Sequence, residues 1–317
     1  MSITVARADR HVKDWSHNLA RFPTRANWPL HLFHTCQLEV AVEIIKSEGI
    51  KCRGNVEHLI CDVANQGAVW NNPEAHNYVR LYFRPRNSFH LKTEGVKAIG
   101  DPYRVNPHMS IPVAFAFDFK KIITLPNCGF VPGNFAKTGA APLSGDVEFD
   151  KMQFELVYHD SALPQEKMAE VHNWRMSEAV VSGTLSLSHL SYVICRTVHE
   201  ERTLRHALGN QVAPKIIVEQ KGSIFMRRGM FIDEIYWASD LLNIRFHGPT
   251  GFTKETYKVK VVCWDNKKQR EGNFLLAPGG YRFPSIPASK DAIWKIEIED
   301  CLVHFAPIPS TSGLVTS

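Results

Sequence analysis

Residues 32–45 read Leu-Phe-His-Thr-Cys-Gln-Leu-Glu-Val-Ala-Val-Glu-Ile-Ile, and two hydrophobic periodicities meet within this stretch. The piece from Pro29 to Cys36 is rich in apolar and β-forming residues, which predicts a short strand. From Leu38 onward the apolar residues recur at intervals of three and four, which predicts a helix with one apolar face. Gly49 is a typical helix end. A strand that runs directly into a helix therefore begins the main domain.

The segments beyond this helix mix strands and helices. Further strands are predicted at residues 78–83, 111–117, 121–125, 177–181, 190–195 and 215–219, and helices at 149–158, 165–175 and 200–208. Residues 54–76 are polar and turn-rich, and residues 129–146 contain Gly, Pro, Asn and Ser throughout, so both segments predict loops. This order of elements predicts an α+β domain over residues 28–225.

The C-terminal part of the chain changes to a period of two. Segments 243–247, 256–264, 273–277 and 294–299 alternate apolar and polar residues, and turns rich in Gly, Pro, Asp and Asn separate them. Such a pattern is typical of antiparallel sheets packed face to face. We therefore expect a smaller all-β, sandwich-like domain over residues 226–317.

Residues 1–27 form a polar arm with five Lys and Arg residues. Trp15, Leu19 and Phe22 recur in it at helical spacing, which predicts a short helix packed on the body. Two interpretations stay open. The arm either contacts phosphate groups or simply covers the body as a solvated helix.

Composition and charge indicate which partners, redox state and cellular location suit this protein. The formal charge of +5 and the pI of about 8.8 suit a phosphate-rich partner without requiring one. The seven cysteines are odd in number and form no Cys-x-x-Cys pair, so reduced thiols are expected. Cys52, His58 and Cys61 match no standard zinc spacing, and no metal is expected. We expect a cytoplasmic protein, because the chain has neither a signal-peptide pattern nor a membrane-spanning stretch.

Four segments resemble ADP-ribosyltransferases, and the DarT family in particular. Residues 32–45 resemble the opening strand and helix of the superfamily. Residues 78–86, Tyr-Val-Arg-Leu-Tyr-Phe-Arg-Pro-Arg, look like the Tyr-Val-Pro-Phe-Tyr-Phe-x-Pro-Arg segment of DarT. Residues 149–158 resemble its Leu-Asp-x-x-x-Trp helix, and residues 175–181, Arg-Met-Ser-Glu-Ala-Val-Val, are similar to its catalytic strand. The order and spacing of the four agree, and the resemblance covers residues 28 to about 220.

The resemblance implies an ADP-ribosyltransferase-like split β-sheet core with helices, NAD⁺ as co-substrate, and Glu178 as the catalytic carboxylate. His34 matches the superfamily histidine that contacts NAD⁺ near the adenosine-side ribose. The other expected cofactor contacts are Thr35, Tyr78, Tyr82 and Arg80. The expected nucleic-acid contacts are Arg84, Arg86 and Arg175, because arginine binds phosphate in a fork and stacks on bases. The loop from Asn127 to Asp146 is a candidate cover or recognition loop.

Breaking the nicotinamide–ribose bond of NAD⁺ produces a cation at the sugar, as in glycoside cleavage. A carboxylate beside the ribose 2′-hydroxyl stabilises that cation and accepts the proton of the attacking base. Each expected site residue also has a structural interpretation. Glu178 is alternatively an exposed strand residue, His34 a histidine satisfied at a strand end, and the tyrosines core packing.

The family resemblance implies a target and a partner as well. We expect ADP-ribose transfer to a base of single-stranded DNA or RNA by the toxin of a toxin–antitoxin or phage-defence pair, with an antitoxin protein as partner. A protein side-chain acceptor and a non-catalytic binding module on the same fold remain alternatives. One departure concerns the target: residues 62–70 contain no arginine where the family has a functional one, and Arg80 stands where it often has proline.

Overall fold

The structure of the chain is a computed structural model. It describes residues 2–57, 72–98, 100–101, 108–138, 141–238, 241–248, 256–265, 268–283 and 292–308. The helices within these ranges are α1 (Val5–Leu19), α2 (Leu38–Lys46), α3 (Ser88–Thr93), α4 (Phe119–Ile123), α5 (Phe135–Thr138), α6 (Asp146–Asp150), α7 (Phe154–Val157), α8 (Met168–Trp174) and α9 (Val198–Leu208).

The strands divide between an N-terminal and a C-terminal group. The N-terminal strands are β1 (His31–Gln37), β2 (Gly49–Lys51), β3 (Tyr78–Tyr82), β4 (Pro112–Asp118), β5 (Cys128–Val131), β6 (Glu178–Ser182), β7 (Thr184–Ser186), β8 (Leu190–Cys195) and β9 (Ile216–Val218). The C-terminal strands are β10 (Phe231–Ala238), β11 (Leu241–His247), β12 (Tyr257–Asp265), β13 (Lys268–Leu276), β14 (Gly279–Phe283), β15 (Ile293–Ile298) and β16 (Cys301–Pro307).

One seven-stranded sheet organises the N-terminal region, with the strand order β5-β6-β3-β1-β4-β8-β9. Strands β1 and β4 pair along seven residues, and β3 and β6 along five. Between β1 and β3 a single register pair is formed, Phe33 with Tyr82. The sheet therefore consists of two well-paired halves joined at one point, which confirms the predicted split sheet.

Large apolar side chains close the core beneath this sheet. In β4 every residue from Pro112 to Phe117 is buried, as expected of a strand covered on both faces. Helix α1 packs on this core through Ala8, His11 and Leu19, which confirms the helix predicted in the arm. His11 stacks on Phe119 at a ring separation of 4.7 Å. The arm is therefore part of the folded body.

The C-terminal strands form a three-stranded sheet, β10-β11-β14, and a four-stranded sheet, β13-β12-β15-β16. Both are antiparallel, and residues of both share a second core that includes Trp237 and Trp294. Their rings meet edge to face at 5.6 Å. This confirms the predicted all-β sandwich-like region.

A buried ionic network joins the two regions. The Arg196 guanidinium, which is fully enclosed, forms ion pairs with Glu200 and Glu94. The Glu94 carboxylate also accepts hydrogen bonds from the backbone N–H groups of Met226 and Arg227, at 2.6 and 2.8 Å. Since Met226 and Arg227 lead directly into β10, this network fixes how the chain leaves the split-sheet region.

Two sequence predictions about elements are wrong. Residues 121–125 were expected to form a strand, but Phe119, Ile122 and Ile123 lie on one buried face of helix α4. Asp118 caps this helix by accepting a hydrogen bond from the backbone N–H of Lys121 at 3.1 Å. The expected loop at residues 129–146 contains edge strand β5, which pairs with β6, and helix α5. Local composition misses β5 because its pairing comes from a partner far along the chain.

Several buried histidines make the fold sensitive to acid. Burial lowers the pKa of His11 to about 3, and of His90 and His304 to about 4. The unfolded chain binds protons at these positions below pH about 6.5, whereas the folded chain binds them only at the lower pH values given by these pKa values. We therefore expect the free energy of unfolding to fall between pH about 6.5 and 4 by about 1.4 kcal/mol per pH unit for each histidine.

Urea unfolding across this pH range measures the effect. The matched variant is His11→Phe, which removes one titrating group from a pocket already lined by phenylalanine rings. Its stability should depend less steeply on pH than that of the wild type. Identical slopes would show that His11 does not titrate on unfolding.

Candidate active site

The point at which the sheet splits creates a cleft between β1 and β3. Beyond the Phe33–Tyr82 pair, β1 continues to pair with β4, and β3 continues to pair with β6. Backbone groups on the facing edges of β1 and β3 are then available to other partners. His34 supplies one such partner, since its Nδ1 lies 3.3 Å from the carbonyl oxygen of Arg80. We call this opening the site cleft.

Glu178 begins β6 directly opposite Tyr82, which places it at the closed end of the site cleft. Its side chain is fully buried, so the alternative of an exposed strand glutamate is wrong. The Arg80 guanidinium holds both carboxylate oxygens: Nε donates to Oε2 at 2.7 Å and Nη2 to Oε1 at 2.6 Å. Such a bidentate pair fixes the orientation of the carboxylate as well as its charge.

Arg80 separates the Glu178 carboxylate from solvent: the Arg80 side chain is 26% exposed, whereas that of Glu178 is fully buried. Although burial alone lowers the pKa of Arg80, the charge and hydrogen bonds of Glu178 raise it above its usual value. A second acceptor, Asn134 Oδ1, lies 2.9 Å from Nη2 of Arg80. Asn134 Oδ1 also accepts from the backbone N–H of Ala136 at 3.0 Å and so anchors the start of α5.

Tyr82 contributes a phenol to the same carboxylate. Burial, and then the charge and hydrogen bond of Glu178, raise the pKa of Tyr82 above its usual value. The hydroxyl is therefore protonated near neutral pH and acts as a donor. Glu178 thus has two kinds of donor, a guanidinium and a phenol, on the strand beside it.

His34 presents a hydrogen-bond acceptor to the site cleft. A carbonyl only accepts, so the contact with the Arg80 carbonyl places the proton on Nδ1. Burial lowers the pKa of His34, the carbonyl of Arg80 opposes this, and the positive Arg80 side chain lowers it further. The ring is consequently neutral, and its Nε2 carries a lone pair. Thr35 follows it, half-buried, in register with Ala114 of β4.

His90 is a site residue that the sequence did not single out. It lies in α3, is buried, and meets the Tyr82 ring edge to face at 5.8 Å. Its Nδ1 donates to the carbonyl oxygen of Pro85, while Nε2 has no hydrogen-bond partner among the described residues. Its pKa of about 4 results first from burial and also from the nearby His34. Sequence signals for this role are weak, since Ser-Phe-His after a Pro-Arg turn is common.

The other expected site residues divide into two groups. Tyr78 packs its ring edge to face on Phe135 at 5.4 Å, in a small apolar cluster at the outer end of β3. Arg84, Arg86 and Arg175 gather at the opposite end of β3, around residues 157–161. The structure therefore brings Glu178, Tyr82, Arg80 and His34 together but not Tyr78 or these three arginines.

Arg84 needs a correction. It was expected to contact nucleic acid, but it is 1% exposed and its guanidinium is held by the carbonyl of Val157 at 3.3 Å, by that of His159, and by Asp160. Both terminal nitrogens of the guanidinium are therefore bonded inside the protein. Arg86 pairs with the other oxygen of Asp160 at 3.3 Å and donates to the carbonyl of Gly222 at 2.8 Å. Arg84 is thus a structural residue and is not retained as a nucleic-acid contact.

Two further features concern metals and membranes. Within the described ranges, no group of three or more His, Cys, Asp or Glu side chains is arranged to hold a metal ion. Of the three residues considered as zinc ligands, Cys52 is buried, and His58 and Cys61 lie outside the described residues. Residues 62–70, which contain no arginine, also lie outside the described residues. None of the helices in the described part of the chain has the length and apolarity that a membrane crossing requires.

A comparison with known protein families assigns the chain to one of them. The family described as "ssDNA thymidine ADP-ribosyltransferase, DarT" matches residues 33–226, well over half of the chain. The chain belongs to the DarT family. As a DarT-family protein it is an NAD⁺-dependent ADP-ribosyltransferase, and Glu178, Tyr82, Arg80 and His34 all lie within the matched region. The match leaves out α1 and nearly all of the C-terminal β region. A comparison with curated protein sequences finds no match.

Solved DarT structures are similar to the chain in fold. Thermus sp. 2.9 DarT in complex with NAD⁺ is 11% identical with a TM-score of 0.47, over 61% of this chain and 96% of that one. The same DarT in complex with ADP-ribosylated ssDNA is 11% identical with a TM-score of 0.49, over 61% and 95%. Thermosipho africanus DarTG in complex with ADP-ribose is 13% identical with a TM-score of 0.49, over 69% and 56%.

Proposed function

We propose that this protein transfers ADP-ribose from NAD⁺ to a base of single-stranded DNA, with Glu178 as the catalytic carboxylate in the site cleft. The observation that carries the proposal is the placement of Glu178 opposite Tyr82 and against the guanidinium of Arg80, the residue whose backbone carbonyl His34 contacts across the split. The DarT family match supports DNA as the acceptor.

The roles of the side chains follow from their hydrogen-bonding capacity. The Glu178 carboxylate accepts from the ribose 2′-hydroxyl and stabilises the cation that forms when nicotinamide leaves. It then takes the proton released as the base nitrogen or oxygen attacks C1′ of the sugar. His34, with its free Nε2, accepts from a ribose hydroxyl. Since each carboxylate oxygen has a second lone pair, the bond to Arg80 does not exhaust Glu178.

Arg80 controls access in this proposal. Because Glu178 is fully buried beneath Arg80, the sugar reaches the carboxylate only when the Arg80 side chain turns aside. The pyrophosphate of NAD⁺ is the natural competitor for the guanidinium, since arginine binds phosphate oxygens in the same forked geometry. When NAD⁺ binds, it therefore draws Arg80 away and exposes the Glu178 carboxylate that ADP-ribose transfer requires.

His90 adds a second acceptor beside His34. Its buried Nε2 lone pair lacks a partner, which costs free energy unless a ligand donor fills it. Two adjacent imidazole acceptors suit a pair of vicinal hydroxyls, as on a ribose. We expect His90→Asn, which keeps a donor near the Pro85 carbonyl and removes Nε2, to weaken NAD⁺ binding by about tenfold, the effect of roughly one such hydrogen bond.

Calorimetry with NAD⁺ and with an NAD⁺ analogue lacking one adenosine-ribose hydroxyl measures this contribution. The wild type should lose affinity for the deoxy analogue, and His90→Asn should not discriminate as strongly. His90→Gln, which returns an amide group toward the Nε2 position, is the matched control and should restore part of the affinity. Equal NAD⁺ affinity in all three proteins would remove His90 from the binding site.

We further propose that the protein acts in the cytoplasm as the toxin of a toxin–antitoxin or phage-defence pair, held in check by an antitoxin protein. Labelled NAD⁺ incubated with single-stranded DNA, RNA and lysate protein tests the acceptor. Label in DNA supports the proposal, label in RNA or protein replaces the acceptor, and no label in any of them contradicts transferase activity. Expression of wild-type protein should slow bacterial growth, and equal growth of wild type and Glu178→Gln would contradict the toxin role.

A further inference from the structure

A groove of about 760 Å³ lies between the N-terminal helix and the segment that follows α7, outside the site cleft. We call it the arm groove. Its lining includes three aromatic residues, Trp15, Phe22 and Tyr158, and two arginines, Arg21 and Arg25. Helix α1 and the turns after it lie before residue 33, where the family match begins. The arm groove therefore combines residues that precede the family match with residues 155–161 inside it.

Three arginines hold the floor of the arm groove. Arg25 donates to the carbonyl of Tyr158 at 2.7 Å, and Arg175 donates to that of His159 at 2.9 Å. Arg84 reaches the carbonyl of Val157. These carbonyls belong to the end of helix α7 and the residues after it, which lack helical partners. Because carbonyls are neutral, the three guanidinium groups keep their positive charge.

Positive charge exceeds negative charge here. Asp160 balances part of it through its ion pairs with Arg84 and Arg86, and Glu155 also lines the groove. The excess positive charge acts on His159. Burial lowers the pKa of His159 first, and the charges of Arg175, Arg25 and Arg84 lower it further. A cavity with such a potential attracts anions.

Aromatic rings complete the chemistry. Trp15 and Phe22 line the groove and are half-buried. The guanidinium of Arg25 lies over the Phe22 ring at 3.8 Å, and that of Arg21 lies 4.8 Å from its centre. Nucleic-acid single strands bind to surfaces of this kind, with bases stacked on rings and phosphates beside arginines. A purely acidic peptide would use the charge but leave the rings without a stacking partner.

The arm groove is also tied to the catalytic strand. Arg175, which binds the groove floor at His159 and Ser161, stands three residues before Glu178. Three residues of chain span about 10 Å at most. The backbone of Arg175 therefore lies within about 10 Å of that of Glu178, and its side chain bonds to two residues that line the arm groove.

We propose that the arm groove binds nucleotides of the single-stranded DNA substrate that flank the modified base. This inference rests on the proposed function and adds a second point of contact to it. Arg21 contacts phosphate, and Trp15 and Phe22 stack with bases. The groove thus favours longer strands over short ones and single strands over duplexes.

Fluorescence anisotropy with a labelled single-stranded DNA tests the proposal without any transfer reaction. Arg21→Glu, at an exposed position, should weaken binding of a long strand by about five- to tenfold and reduce the salt dependence by about one ion. Lys13→Glu changes the net charge equally from an exposed position on helix α1, but Lys13 does not line the groove. It should change the affinity by less than about twofold, as a charge outside the contact does.

Transfer kinetics provide the second readout. Arg21→Glu should raise the KM for a long strand and leave the kinetics with a strand of a few nucleotides unchanged. Equal effects of Arg21→Glu and Lys13→Glu would overturn the proposal, as would equal affinity for duplex DNA. Displacement of the strand by polyglutamate at equal charge concentration would overturn it in favour of an acidic protein. DNA binding that depends on Arg21 without any transfer would instead contradict the proposed function and leave the groove assignment standing.

Discussion

Glu178→Gln is expected to lower the rate of ADP-ribose transfer by about 100- to 1,000-fold while the protein stays folded. Glutamine keeps the shape of the side chain and an oxygen for Arg80, but it lacks the negative charge that stabilises the sugar cation. NAD⁺ affinity should change far less than the rate, since the charge matters most in the transition state. Single-turnover transfer to labelled DNA measures the rate, and calorimetry measures the affinity.

Glutamine is the informative replacement because of burial. Glu178 is fully buried and paired with Arg80, so its replacement has to keep the volume of the side chain. Alanine would leave a cavity in the interior and remove both oxygens that the Arg80 guanidinium binds, and so would mix catalysis with stability. The matched control is Glu201→Gln, at an ion pair on the helix surface. Transfer by Glu178→Gln at the control rate would remove Glu178 from the mechanism.

Arg80→Met is expected to destabilise the protein by about 3–5 kcal/mol, the cost of leaving one member of a buried ion pair alone. Methionine has a similar length but no charge, so Glu178 remains in the interior without a counter-ion. We also expect transfer to be lost, because the variant lacks the guanidinium that the pyrophosphate of NAD⁺ binds in the proposed function. Urea unfolding gives the free energy, and circular dichroism establishes whether the variant folds.

Two comparisons make this prediction specific to the pair. Arg205→Met removes an arginine from a half-exposed pair with Glu201 and should cost no more than about 1 kcal/mol. The double variant Arg80→Met with Glu178→Gln should recover much of the lost stability, since no charge is then left unpaired. Equal losses in Arg80→Met and Arg205→Met would show that the Arg80–Glu178 pair contributes nothing unusual.

The sequence by itself determined the elements whose periodicity is strong. Strand β1 with helix α2, strand β3, and the alternating strands β11 and β12 were all expected close to their observed bounds. Local side-chain patterns are enough to predict these elements, because the spacing of the apolar residues identifies the face that each element buries. The motifs also placed Glu178 at a strand start and His34 within a strand, and the family assignment followed from their order.

Tertiary structure decided what those residues touch. Residues 98 positions apart form the Arg80–Glu178 pair, and Arg84 pairs with an aspartate 76 positions away. Spacing along the chain carries no information about such contacts, so a catalytic-site arginine and a structural arginine four residues apart looked alike. For the same reason the sequence predicted neither strand β5, which pairs with the distant β6, nor the role of the His90 Nε2 as an acceptor. Which residues share a site depends on strand order in a sheet, and only the folded chain fixes that order.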